Sequence, residues 1–276
     1  MAMDKLLAIE ELRICYRAAG QASVAVKGVS FSIAKGEVLG LMGESGCGKS
    51  SVALAIPGLL DRTAEVSGSV IFGGRDLLET PERGLEKIRG AQISMVYQEP
   101  GMALSPVMRV GQQISEVAHA HRAWSWARCG EAAHAMLARV GLEPTHRIFS
   151  AYPHQLSGGQ LQRIVLAQAL VCDPELVIAD EPTASLDAGS RADFIGLLRD
   201  LQRRGRMSVL LISHTPEIQA ALCDRLMVMR EGEIIEQGTF DQLYFNPAER
   251  YTRDLLRRGS IHEAAEAEQA YQRTPS

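Results

Sequence analysis

Apolar and polar residues alternate over Leu7–Tyr16 and again over Ala25–Ile33. A period of two predicts half-buried strands, here joined by the turn-like stretch AAGQAS. Glu37–Met42 (EVLGLM) is a short apolar run that ends at a glycine-rich stretch, and Ser51–Leu60 then reads as a helix. Gly68–Phe72 and Ile93–Tyr97 are further strand candidates. After Gln98 the pattern changes: Val107–His121, Cys129–Val140 and Gly159–Val171 predict helices. Strand signals return at Leu176–Ala179 (LVIA) and Ser208–Ile212 (SVLLI), with a helix expected between them over Ala188–Arg204. Strands that are apolar throughout and alternate with helices predict a parallel α/β sheet. Leu226–Met229 and Glu233–Gln237, joined by Arg-Glu-Gly, predict a hairpin. From about Ser260 the chain is polar and alanine-rich, with little to bury, and its end is expected to fray. No internal repeat is visible. The helical block from about residue 100 to 170 reads as an insertion within one α/β domain.

The chain has 276 residues, 46% of them apolar and 22% charged. That is ordinary for a globular protein able to bury its core without disulfides or metals. Lys plus Arg is 29 against 33 Asp plus Glu, a net charge of −4, so no nucleic-acid partner is expected. The five cysteines (Cys15, Cys47, Cys129, Cys172, Cys223) are scattered with no C-x-x-C spacing. They predict neither a zinc site nor a disulfide framework, and fit a reducing cytoplasm. The best apolar run, Val52–Leu60, is broken by Pro57 and is shorter than the roughly 20 residues of a spanning helix. The opening MAMDKLLAIEEL has early acids and does not read as a secretory signal. Any membrane role is expected to be peripheral.

Gly43-Glu44-Ser45-Gly46-Cys47-Gly48-Lys49-Ser50 fits G-x-x-x-x-G-K-[ST], the phosphate-binding P-loop, between a predicted strand and a predicted helix. Glycines let backbone amides turn inward around a phosphate chain, and the following helix aims its positive end at the same place. Lys49 is expected to reach the β- and γ-phosphates, and the Ser50 hydroxyl to bind Mg²⁺. Cys47, inside this loop and near Lys49, is a candidate reactive thiol. Leu176–Glu181 adds a strand ending in acids: Asp180 to hold Mg²⁺ through water, and Glu181 to orient or deprotonate the attacking water.

Leu156-Ser157-Gly158-Gly159-Gln160 spells LSGGQ. With it the sequence resembles the ATP-binding cassette (ABC) ATPases from about Leu7 to about Leu256. Its motifs run in that family's order: P-loop, Gln98, LSGGQ, Asp180-Glu181, Ser185-Leu186-Asp187, His214. The resemblance implies a P-loop NTPase with a RecA-like core, an N-terminal antiparallel β subdomain and an inserted helical subdomain. The core would span about 5–98 and 171–243, the helical part about 99–170, and a C-terminal segment 244–276. It also implies ATP and Mg²⁺ as ligands, with Gly43–Ser51 binding ATP. Ser157 and its two glycines start a predicted helix whose amides suit an anion. In the family this signature serves the ATP of the opposite subunit, which implies a head-to-tail dimer. Gln98 resembles the Q-loop glutamine that contacts Mg²⁺ and the attacking water and senses the membrane partner. His214 resembles the switch histidine on the γ-phosphate, Asp187 the D-loop aspartate that links the two sites, and Tyr16 the aromatic that stacks on adenine. Leu161, Gln168 and Thr215-Pro216 depart from common family residues without removing a ligand of ATP or Mg²⁺.

Gln98–Pro106 (QEPGMALSP), Tyr152-Pro153-His154-Gln155 and the tail Asn246-Pro247 with Tyr251-Thr252-Arg253-Asp254-Leu255-Leu256 resemble the dipeptide/oligopeptide/nickel importer group. The tail's usual His-Pro is absent, and no cysteine follows Cys223, so an iron–sulfur cluster is not expected. The implied partners are two membrane permeases, a second ABC ATPase (related or identical) and, indirectly, an extracytoplasmic solute-binding protein. The implied place is the cytoplasmic face of the inner membrane. The alternative is the ATPase subunit of a soluble complex such as carbon–phosphorus lyase.

Overall fold

In the computed structural model, which describes residues 5–18, 21–205 and 207–257, the two alternating segments pair antiparallel as β1 (Lys5–Ala18) and β2 (Gln21–Ala34). Ala19 and Gly20 of the expected turn lie outside the described residues, as does the chain end from Ser260. β4 (Ala64–Phe72) adds to the other edge of β1, and β5 (Arg75–Asp76) to β4, giving the order β2-β1-β4-β5.

The second sheet has the order β10-β9-β3-β8-β7-β6. Its members are β3 (Val38–Met42), β6 (Ile93–Val96), β7 (Leu176–Asp180), β8 (Ser208–Ile212), β9 (Arg225–Arg230) and β10 (Glu233–Gly238). All neighbours pair parallel except the β9–β10 hairpin. Side chains alternate across a strand, and here both faces are covered. Leu176, Ile178, Leu210 and Ile212 join one core with Leu39 and Leu41, helix α1 (Lys49–Ala55) and the antiparallel sheet. Val177, Ala179, Val209 and Leu211 face the opposite core. Burial on both sides is why these strands read as unbroken apolar runs.

The opposite core is helical. After the single turn α2 (Glu82–Leu85), α3 (Pro100–Ala103), α4 (Val110–His121), α5 (Trp126–Arg139), α6 (Thr145–Ser150) and α7 (Gly158–Leu170) lie between β6 and β7. α8 (Ala188–Gly205) completes that layer through Phe194, Leu198 and Leu201. The short helices α9 (Pro216–Leu222) and α10 (Phe240–Phe245), and a last helical stretch over residues 250–257, have no counterpart in the sequence reading. Two predicted helices are shorter than expected. α1 stops at Ala55 rather than running to Leu60, because Pro57 has no N–H to continue it; Gly58 N and Leu59 N close the end on Ala55 O and Leu54 O. α4 starts at Val110 rather than Val107. The buried Gln113 side chain holds Ser105 N, Ser105 O and Met108 O, and fixes that stretch as a loop.

Candidate functional site

In an open α/β sheet, ligands bind outside the carboxyl ends of the strands. Here β3 ends in Gly43–Ser50, β6 in Gln98, β7 in Asp180 and Glu181, and β8 in His214. Since β3, β8, β7 and β6 are neighbours in that order, the segments meet at one edge. They line a single cavity of about 640 Å³ that contains Gln98, Asp180, Glu181, His214 and most of the glycine loop, with Ala25 and Leu255 completing its wall.

The loop's shape depends on its glycines. Gly48 has φ +109°, and a Cβ there would stand 2.4 Å from Ala25 O. At Gly43 a Cβ would stand 2.3 Å from Met229 O. Lys49 is 8% exposed, and its Nζ donates to Gly43 O and Glu44 O, 2.8 Å each. An ammonium placed among carbonyls at the mouth of an amide-lined loop suits a polyphosphate chain. The loop is also fastened from outside. Gly232 N, in the β9–β10 turn, donates to Cys47 O at 3.0 Å, and Glu44 N donates to Tyr251 Oη at 3.1 Å. Cys47 has the lysine neighbour that the sequence predicts, its Sγ 3.7 Å from Lys49 Nζ, but the residue is only 7% exposed and packs into the core beneath the loop.

The acids differ in setting. Burial pushes the Asp180 carboxyl above its usual range, against the hydrogen bond from the Ser50 side chain. Glu181 has φ +48°, in the left-handed region that a side-chain-bearing residue seldom adopts. Its N–H bonds Ile212 O at 2.9 Å. One oxygen, Oε1, accepts from both His214 N (3.0 Å) and His214 Nδ1 (2.8 Å). That hydrogen bond raises the His214 pKa, with burial opposing it. Ser50 hydroxyl, Asp180 carboxylate and Gln98 side-chain oxygen form a hard-oxygen donor set with one carboxylate, which fits Mg²⁺ completed by water and phosphate.

Other sequence candidates lie apart from this cleft. The hydroxyl of Tyr16 meets Ser51 Oγ at 3.1 Å, and its ring packs partly buried against the core. Ser51 lines the cleft and Tyr16 does not. None of Leu156–Gln160 lines it either. Ser157 and Gln160 cap α7 reciprocally: Gln160 N donates to Ser157 Oγ (3.3 Å) and Ser157 N to Gln160 Oε1 (3.0 Å). This leaves the first-turn amides of Gly158 and Gly159 without intrahelical partners, and nothing stands within 4 Å of a Cβ built at Gly158. Asp187 accepts from Ser190 N (2.9 Å) and Ser190 Oγ (2.7 Å) at the start of α8. Ala25 and Gly232 carried no signal for this site in the sequence, and Tyr251 and Leu255 entered only as part of a subgroup tail. Their roles depend on distant segments folding against the loop.

Residues 26–184 match the ABC transporter family. The oligopeptide transport ATP-binding protein OppD of Escherichia coli (strain K12) is 39% identical over 253 residues, 92% of this chain and 75% of that protein. The dipeptide transport ATP-binding protein DppD of Bacillus subtilis (strain 168) is 40% identical over 261 residues, 94% of this chain and 77% of that protein. Among solved structures, a dimeric ATP-binding cassette in a post-hydrolysis state with ADP and Pi superposes with TM-score 0.76 at 27% identity, covering 85% of this chain and 98% of the other. With the P-loop, the acids and the histidine gathered at one sheet edge, this chain belongs to the ABC transporter family.

Proposed function

We propose that this chain is the ATP-binding subunit of an ABC importer, hydrolysing Mg-ATP to drive uptake of a small solute such as a peptide. The observation that carries the reading is the meeting of Lys49, Gln98, Asp180, Glu181 and His214 in one cleft at the ends of adjacent strands. Transport proteins at about 40% identity over most of the chain favour it over a soluble lyase complex. The ATPase core is taken as about 5–98 and 171–243, the helical part as 99–170 and the C-terminal segment as 244–276.

The loop amides of Gly43–Ser51 and the Lys49 ammonium hold the ATP phosphates, and Tyr16, one hydrogen bond from the cleft, serves the base. Ser50, Asp180 and Gln98 would hold Mg²⁺, which when bound would neutralise charge on the phosphates. Glu181 is the general base. It accepts a proton from the water that attacks the γ-phosphorus, and the bond to the ADP oxygen breaks. To do so its Oε1 must be released by His214, whose ring can then donate to the γ-phosphate. The signature Leu156–Gln160 lies outside its own cleft, with two glycine amides presented outward; it serves the ATP of a second ABC ATPase, related or identical. Asp187 sits between the two sites. Beside Gln98, a cavity of about 420 Å³ is lined by Leu59, Tyr97 and Met102, the last 82% exposed. Exposed apolar surface of this kind marks a protein contact, here for the permeases that carry the solute from its binding protein. No helix among the described residues is long and apolar enough to cross a membrane; the subunit sits peripherally on the cytoplasmic face.

ATPase assays of the assembled complex test this. Glu181→Gln should bind ATP normally and turn over about 10²–10⁴-fold more slowly, whereas Lys49→Ala should lose ATP binding itself. Normal turnover by the glutamine variant would overturn the assignment.

A further inference from the structure

The last helical stretch, residues 250–257, belongs to no sequence motif for nucleotide binding, yet it reaches the phosphate loop. It is held there by a core of its own. Leu256 is 1% exposed and packs with Met42 at the end of β3, with Leu226 and Val228 of β9, and with Leu243 of α10. That places Tyr251 beside the loop, where its hydroxyl accepts from Glu44 N at 3.1 Å. Leu255, four residues on and so on the same helix face, lines the nucleotide cleft. The Tyr251 ring is fixed from behind by the Arg230 guanidinium, 5.1 Å over its centroid. Arg230 ends β9, immediately before the turn whose Gly232 N donates to Cys47 O. The loop is therefore fastened at two backbone points, and chain outside the nucleotide-binding motifs supplies both.

Glu44 occupies a particular place in this arrangement. Its carbonyl and that of Gly43 hold the Lys49 ammonium, while its N–H is held by Tyr251. The tyrosine thus fixes the peptide unit that sets where Lys49 can stand. We propose that Tyr251 is a positioning residue for nucleotide binding: through the Glu44 amide it holds the first turn of the phosphate loop in the form that receives phosphate. The inference rests on Gly43–Ser50 being the phosphate loop, and it adds the C-terminal helix to the nucleotide site in cis.

The test uses the full chain and two ligands, Mg-ATP and inorganic tripolyphosphate, with Tyr251→Phe, which removes the hydroxyl and keeps the ring over Arg230. A hydrogen bond of ordinary net strength corresponds to a loss of about three- to tenfold in affinity. That loss is expected for both ligands alike, because the tyrosine acts on the phosphate loop. Exchange of the Glu44 amide with solvent should quicken in the variant, and the melting temperature of the nucleotide-free protein should change little. Unchanged dissociation constants, or a Glu44 amide that exchanges as in the parent, would overturn the proposal. A lowered melting temperature with unchanged affinity would also overturn it, showing that Tyr251 only anchors the helix. Lys49→Ala, measured in parallel, separates the two readings. If it binds tripolyphosphate normally, the phosphate-loop assignment fails. If it loses binding while Tyr251→Phe does not, only the role of Tyr251 fails.

Discussion

Glu181 and His214 share one hydrogen-bonded arrangement, and the chemistry of each is set by the other. The Glu181 carboxylate raises the His214 pKa, so the protonated imidazole is favoured beside it. Because the folded pKa lies above the ordinary value of about 6.5, the pair contributes its stability fully below that value. The contribution is lost as pH rises through the raised folded pKa. The His214 side chain is 66% exposed, so solvent screening keeps it small. Proton NMR titration of the imidazole should therefore show His214 titrating above ordinary histidine in the parent. In Glu181→Gln it should fall back, since a neutral amide no longer favours the charged ring; an unchanged midpoint would mean that the two side chains do not interact in solution. The left-handed backbone at Glu181, φ +48°, is unfavourable for a side-chain-bearing residue, and it accompanies the carboxylate's bond to His214.

The phosphate loop and α7 each depend on a few residues at their start. The phosphate loop passes under Ala25 O at Gly48, where both φ +109° and a 2.4 Å approach exclude a Cβ. Gly48→Ala should lose at least the roughly 1–2 kcal/mol of left-handed strain and, through displacement of the loop, most nucleotide binding. Urea unfolding and ATP titration read the two losses separately. At α7 the capping box ties Ser157 to Gln160, so LSGGQ has a structural duty besides any ligand. Removing a serine cap costs about 0.5–2 kcal/mol. Ser157→Ala should therefore lower the unfolding free energy by that much while leaving ATP binding by the separate chain intact. Loss of ATP binding in that variant would place the signature in its own chain's site, against the trans reading.

At the scale of the whole molecule, the cleft at the sheet edge and the signature on α7 are separate surfaces, and neither completes the other within one chain. ATP should therefore join two ATPase subunits. With turnover blocked by Glu181→Gln, sedimentation should show association of the ATPase pair that requires Mg-ATP. Ser157→Arg should prevent that association, and Ser157→Ala should largely retain it. The Arg variant shares the loss of the cap, so the difference between the two isolates the interface. Equal association in both would count against LSGGQ as a contact with the partner's nucleotide.

The sequence by itself determined what local chemistry can encode. Unbroken apolar runs at β3, β7 and β8 specified a sheet buried on both faces, and periodicity located α5, α7 and α8 to within a few residues. Glycine spacing with Lys49 and Ser50 pointed to a phosphate loop between β3 and α1, and the acids at the end of LVIA pointed to β7 as its companion strand. Tertiary structure alone decided which of these groups meet. Strand order brought Gln98, Asp180, Glu181 and His214 to one cleft, turned the Cys47 thiol into the core, and set Tyr251 on the Glu44 amide. The physical reason is one of range. Periodicity and backbone preference act over a few neighbouring residues, whereas Tyr251 and Glu44 are 207 positions apart, and it takes tertiary packing, Leu256 on Met42, Leu226, Val228 and Leu243, to join them.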